Sequence, residues 1–125
     1  MKEIVRTDLA PAPIGPYNQA TAHGSMLFVS GQIAIDPKDG VLKIDNLQEE
    51  THLVMKNLKA VLEAGGSSFD GVLKTTIFLS DMGFFTQVNE VYGSYFSGDY
   101  PARECVAVKT LPKGVNVEIS AVAVR

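Results

Sequence analysis

The chain has 125 residues, 46% hydrophobic and 20% charged, with a formal net charge of −3. That suits one globular domain over residues 1–125 with a core of useful size. Scattered basic residues argue against nucleic acid as the main partner, and no apolar run reaches the ~20 residues of a membrane span. The N-terminal MKEIVRTDLAPAPIGP lacks the apolar core of a signal peptide. Cys105 is the only cysteine, which fits a reducing compartment such as the cytoplasm. His23 and His52 have no metal-ligand spacing, and no phosphate-binding glycine motif or nucleophile elbow is present.

Taken in order, Glu3 to Arg6 can add a short edge strand. Pro11, Pro13 and Pro16 then exclude a sheet interior and predict an ordered loop feeding Tyr17 into a strand. Tyr17–His23 and Met26–Gly31 flank Gly24-Ser25, which predicts a β-hairpin. The second run is apolar on both faces and predicts a central strand. Gly31 predicts a bulge or a close backbone approach. Asp36–Gly40 reads as a turn. Asp45 or Asn46 caps a helix in which Leu47, Val54, Met55, Leu58, Val61 and Leu62 recur at helical spacing, with Gly65-Gly66 as the stop.

Val72–Leu79 reads as a strand. Asp81 is expected to cap a second helix, buried along Phe85, Val88, Tyr92, Tyr95 and Phe96 and stopped at Gly98. In YPARECVAVK, Pro101 sets the backbone and Val106 and Val108 favour a strand, with Arg103 and Cys105 on one face. After the Leu111–Gly114 turn, Val115–Val124 forms a last strand with Val117, Ile119, Ala121 and Ala123 on one face and Glu118 on the other. Two amphipathic helices are most economically buried on one face of a single mixed sheet. The other, partly apolar face then calls for a partner subunit.

Five residues carry candidate chemistry. Arg103 at a strand entrance can grip a planar carboxylate bidentately or sit in a rim salt bridge. Glu118 is a general acid/base fixed by the sheet or an outward-facing glutamate. Tyr17 is a substrate-facing phenol or a packing aromatic, and Ser30 donates to a ligand or to backbone. Cys105 has no basic partner evident in sequence to lower its pKa, so a backbone role is favoured.

The segments IGPYNQA, LFVSGQIAIDPKDG, QVNEVYGSYF, YPARECVAV and LPKGVNVEISAVAV together resemble the Rid family, also called YjgF or endoribonuclease L-PSP, and its RidA subfamily, the 2-iminobutanoate/2-iminopropanoate deaminases. The resemblance implies a chorismate-mutase-like α+β fold assembling as a barrel-like homotrimer, with active sites in clefts between neighbours. It implies hydrolysis of reactive enamine/imine acids (2-aminoacrylate, 2-aminocrotonate and their imine forms), released by PLP-dependent dehydratases, to 2-keto acids and ammonia. Neither cofactor nor metal is required. By the same resemblance Arg103 binds the substrate carboxylate, the Cys105 backbone helps hold water or the imine nitrogen, and Glu118 orients the water and moves protons. Tyr17, Ser30 and Gly31 line the pocket, and Asn89 is structural. The SGDY stretch before Pro101 is shorter than in some relatives, which bears on pocket size. The competing classes are a small-carboxylate binding module, a ribonuclease or translation inhibitor, and a holdase. Retention of both Arg103 and Glu118 favours the enzyme.

Overall fold

The structure is a computed structural model describing residues 1–125. The elements are β1 (Glu3–Val5), β2 (Ala20–His23), β3 (Met26–Gln32), α1 (Leu47–Ala64), β4 (Val72–Leu79), α2 (Phe85–Gly93), β5 (Ala102–Ala107) and β6 (Val117–Val124). The strands form one mixed sheet in the order β1-β2-β3-β6-β4-β5. Only β4 and β5 run parallel, joined by the α2 crossover that a parallel pair requires. The β2–β3 hairpin turns at Gly24-Ser25, and Gly24 takes φ +57°, where a side chain would be strained.

One sheet face is dry. Leu27 and Val29 of β3, Thr75, Ile77 and Leu79 of β4, and Val117, Ile119, Ala121 and Ala123 of β6 are buried there. Val54, Met55, Leu58, Val61 and Leu62 of α1, with Val88 and Tyr92 of α2, complete the same core. Alternation along β6 is thus what the sequence predicts. The other face carries Phe28, Val106 and Val122 beside Thr76, Ser120 and the Lys74–Glu104 ion pair (3.1 Å). Phe28 and Val106 remain 49% and 45% exposed, so nothing in the chain covers this face. No helix is long and apolar enough to cross a membrane.

Three expectations need correcting. The second helix ends at Gly93, not Gly98, so Tyr95 and Phe96 lie beyond it. They still pack on the core, in an aromatic cluster with Phe69 and Tyr92 whose neighbouring ring centroids lie 4.9–5.5 Å apart. Asp81 caps a 3-10 turn (Met82–Phe84) that leads into α2, accepting from the Gly83 N–H at 2.7 Å, and does not cap α2 itself. The strand before the hairpin begins at Ala20, which leaves Tyr17 in the preceding loop.

For α1 the structure decides between two caps. The Asn46 side chain accepts from the Glu49 N–H at 3.0 Å. Asn46→Ala is therefore expected to destabilise the protein by about 1 kcal/mol, within the usual range for cap removal. Asp45→Ala should have a much smaller effect. Urea unfolding of the two variants checks this, and equal losses would contradict it.

Candidate functional site

Glu118 projects from the uncovered face of β6 into a cleft of about 300 Å3 lined by Ile14, Tyr17, Ser30, Gly31, Ile33 and Pro112. The β3 ladder slips register between Val29 and Gln32, a bulge that brings the Gly31 backbone onto Glu118. A Cβ at Gly31 would lie 2.8 Å from the Glu118 carboxyl carbon, so only glycine leaves the carboxylate its place. Both sequence readings of Gly31, bulge and close approach, hold at once.

The other cleft residues are tied down. The Ser30 hydroxyl donates to the Asn18 carbonyl at 2.6 Å, so towards a ligand it can only accept. The Tyr17 hydroxyl accepts from the Ile14 N–H at 3.2 Å, which folds the IGPY turn over the cleft. The Glu118 carboxyl makes no hydrogen bond within the chain. Burial alone holds its carboxyl above the usual carboxylate range. A carboxyl tuned upwards with free oxygens suits proton transfer to and from a bound water.

Arg103 lies elsewhere. It is in register with Thr75 on β4 and lies on the helix-covered side, at the free sheet edge formed by β5. Its guanidinium donates to Asn89 Oδ1 at 2.7 Å and sits 5.1 Å from the Tyr92 ring centroid and 5.6 Å from that of Phe85. These are cation–π distances. Tyr92 is locked in turn by a 2.7 Å hydroxyl contact with Thr75. Asn89, Tyr92, Gly93, Tyr100, Pro101 and Arg103 enclose a second cleft of about 320 Å3. The arginine is in no ion pair, so its remaining N–H groups are available to an anion.

Cys105 shares this side with Arg103. Contrary to the sequence reading, a basic neighbour does exist, because Arg103 favours the thiolate. Burial outweighs it and pushes the thiol up, so Cys105 stays protonated at neutral pH.

The structure thus brings Tyr17, Ser30, Gly31 and Glu118 together, and Arg103 with Cys105 in a separate place. Glu118 and Arg103 lie on opposite faces of one sheet, with β4 between their strands. A larger cleft of about 490 Å3 lies between the Pro-rich loop and the Asp36–Gly40 turn, but it holds neither Glu118 nor Arg103. The histidines are engaged away from both sites, His23 with Met1 and His52 with Tyr95. Asn89, read as structural, is the residue that aims the guanidinium. Its signal was available: Phe85, Asn89 and Tyr92 fall on one helical stripe, and an amide among aromatics needs a partner.

This is a small α+β protein with an oriented arginine, in no ion pair, at one sheet edge and a half-buried carboxyl in a cleft on the opposite face. The chain matches the family described as Endoribonuclease L-PSP over residues 7–125, and it belongs to that family, known also as YjgF or Rid. A RutC family protein of Pyrococcus horikoshii is 49% identical over 98% of both chains. A 2-iminobutanoate/2-iminopropanoate deaminase of Mus musculus is 43% identical over 100% of this chain and 93% of its own. The crystal structure of Escherichia coli TdcF with bound serine is 42% identical and superposes with a TM-score of 0.94 over 98% of both chains. Relatives of this chain therefore include named imine deaminases, and the α+β fold is that of its family.

The Glu118 environment has a consequence for stability. A carboxyl whose folded pKa lies above its unfolded one favours folding in its protonated form. That contribution is present below the unfolded pKa and is lost as pH rises through the folded value. Glu118→Gln is therefore expected to melt above the native protein at pH 7.5, with the gap closing towards pH 4. A variant that melts lower at pH 7.5 would contradict the burial argument.

Proposed function

We propose that this protein is a cofactor-independent hydrolase of reactive 2-imino acids, acting on the C3 and C4 imines and their enamine tautomers that PLP-dependent dehydratases release. The observation that carries the reading is the pairing of two half-sites. One is an unpartnered carboxylate in a cleft, and the other is a guanidinium pre-aimed by Asn89, Tyr92 and Phe85 at a free sheet edge. Because the two lie on opposite faces, one chain cannot supply both. A heterologous ring, in which the β5 edge of one chain meets the uncovered face of the next, would join them. The uncovered apolar groups of that face support a homotrimer built this way.

The chemistry needs orientation and protons. Arg103 takes the substrate carboxylate in two parallel N–H···O bonds. Protonation at C3 converts an enamine to the iminium tautomer. Water held by Glu118 adds its oxygen to C2 and gives a proton to the carboxylate. Glu118 returns that proton to nitrogen, the C–N bond breaks, ammonia leaves, and the hydroxyl proton departs as the C2 carbonyl forms. The backbone about Cys105 lies beside Arg103 and can hold the nitrogen or the water, and its protonated thiol is no nucleophile. Holding water and imine together contributes as general orientation effects do. The ribonuclease reading is less well supported, since neither histidine lines the Glu118 or Arg103 cleft.

A coupled assay tests the reaction: a threonine dehydratase generates the imine, and keto-acid release is timed with and without this protein. Glu118→Gln should lose about 10²–10⁴-fold in turnover while still binding 2-oxobutanoate. Arg103→Ala should lose binding as well, with a cost of about 2–5 kcal/mol for an unpaired charge, and Arg103→Lys should recover only part. Binding of the keto acid with no acceleration by the native protein would leave a carboxylate-binding module.

Shared sites give a sharper outcome. Arg103→Ala and Glu118→Gln are each inactive alone. Unfolded together and reassembled, they should regain about a quarter of the native sites, because in a ring one interface in four pairs an intact arginine with an intact glutamate. No recovery in verified mixed oligomers would mean that each site belongs to one chain.

A further inference from the structure

Glu50 is a carboxylate with no exposed surface, in the early turns of α1, and no step above uses it. It is not the helix cap, a role that Asn46 fills. Its two oxygens take N–H donors from one distant residue: Asn116 N to Oε2 at 2.8 Å and Asn116 Nδ2 to Oε1 at 2.8 Å. Asn116 is held from the other side too. Its carbonyl accepts from Ser80 N at 3.0 Å, and its Oδ1 accepts from Ser80 Oγ at 3.1 Å. The backbone and amide groups of Asn116 are thus shared between α1 and Ser80, the residue that follows β4.

No lysine or arginine pairs with Glu50. Burying a carboxylate on neutral donors is costly, and an apolar residue of similar volume is often at least as good for stability. What the arrangement supplies is position. Asn116 stands two residues before Glu118, where β6 begins to pair with β4 through Leu79↔Val117 and Phe78↔Glu118. Upstream lies a turn with Lys113 at φ 57°, and Pro112 of that turn walls the Glu118 cleft. Clamping Asn116 therefore fixes the strand start that carries the carboxylate and the turn that shields it.

We propose that Glu50 and Asn116 are positioning residues for Glu118, holding the first residues of β6 so that its carboxylate stays on the cleft water. This rests on Glu118 being the proton-carrying group of the deaminase reading. Without the clamp, the start of β6 frays, water reaches the carboxylate, and the carboxylate moves out of line.

The test uses the assembled protein and three variants. Asn116→Ala removes the amide and leaves Glu50 Oε1 without a donor. Ser80→Ala removes one side-chain leg. Glu50→Gln is the conservative control and can keep the network, since a flipped Asn116 amide would accept from the new amide and donate to Ser80 Oγ. Two readouts are taken: kcat and KM in the coupled assay, and the titration of the Glu118 carboxyl by 13C NMR, assigned with Glu118→Gln. For Asn116→Ala we expect kcat to fall about 10–100-fold, as for a misplaced reacting group, with KM little changed. The Glu118 midpoint should move down towards the ordinary carboxylate range. Glu50→Gln should leave both near native values. If Asn116→Ala does not fold, Ser80→Ala decides by the same pair. A folded Asn116→Ala, or in its place Ser80→Ala, in which either readout stays native, with only the melting temperature lowered, overturns the proposal. If the native protein itself is inactive, the deaminase reading fails, and the Glu118 midpoint alone decides whether the clamp positions it.

Discussion

The register of β6 between β3 and β4 is the constraint on which the rest depends. Val117, Ile119, Ala121 and Ala123 enter the core under the helices, and the alternate residues, Glu118 first, face outwards. A slip of one residue would exchange every side chain between the faces. It would bury Glu118 in hydrocarbon and lift Ile119 into the cleft. Core burial, at about 25 cal/mol per Å2 of apolar surface, thus positions a polar group that gains nothing from burial itself. The Gly31 bulge then makes room for the carboxyl.

Arg103 is held by different means. It sits on an edge strand, where no ladder on its far side constrains it. Its orientation comes from α2, through one charge-assisted hydrogen bond to Asn89 and two ring faces. These contacts leave donors free and reduce the rotamer entropy that an exposed arginine would lose on gripping an anion. The α2 crossover, which exists because β4 and β5 are parallel, therefore has a second role in aiming the guanidinium.

The two devices share a physical logic. Glu118 and Glu50 are both acidic side chains withdrawn from water, and the apolar core offsets the cost of that burial. Glu118 has burial without a hydrogen-bond partner, and Glu50 has burial with neutral donors only. Such expenditure is expected where geometry matters more than stability. The uncovered sheet face is the third departure from a stability optimum, and it is the face on which the Glu118 cleft opens.

Much of this was legible along the chain. Periodicity marked α1 and the two faces of β6, because repeats of 3.6 and 2 are local geometry. The Gly24-Ser25 hairpin and the Gly31 bulge followed from backbone freedom at glycine, and the family motifs picked out Arg103, Cys105 and Glu118. The end of α2 was misjudged because Tyr95 and Phe96 continue the apolar spacing while packing from a loop, and periodicity does not distinguish the two. What only the tertiary structure decided was non-local. Strand order puts Arg103 and Glu118 on opposite faces of the sheet. Asn89 became a partner of Arg103 across 14 residues, and Glu50 reached Asn116 across 66. Local pattern determines which way a side chain points from its own strand or helix. Which distant group it meets depends on how the sheet is ordered and how the helices lie on it, and that is settled by burying all the apolar faces at once.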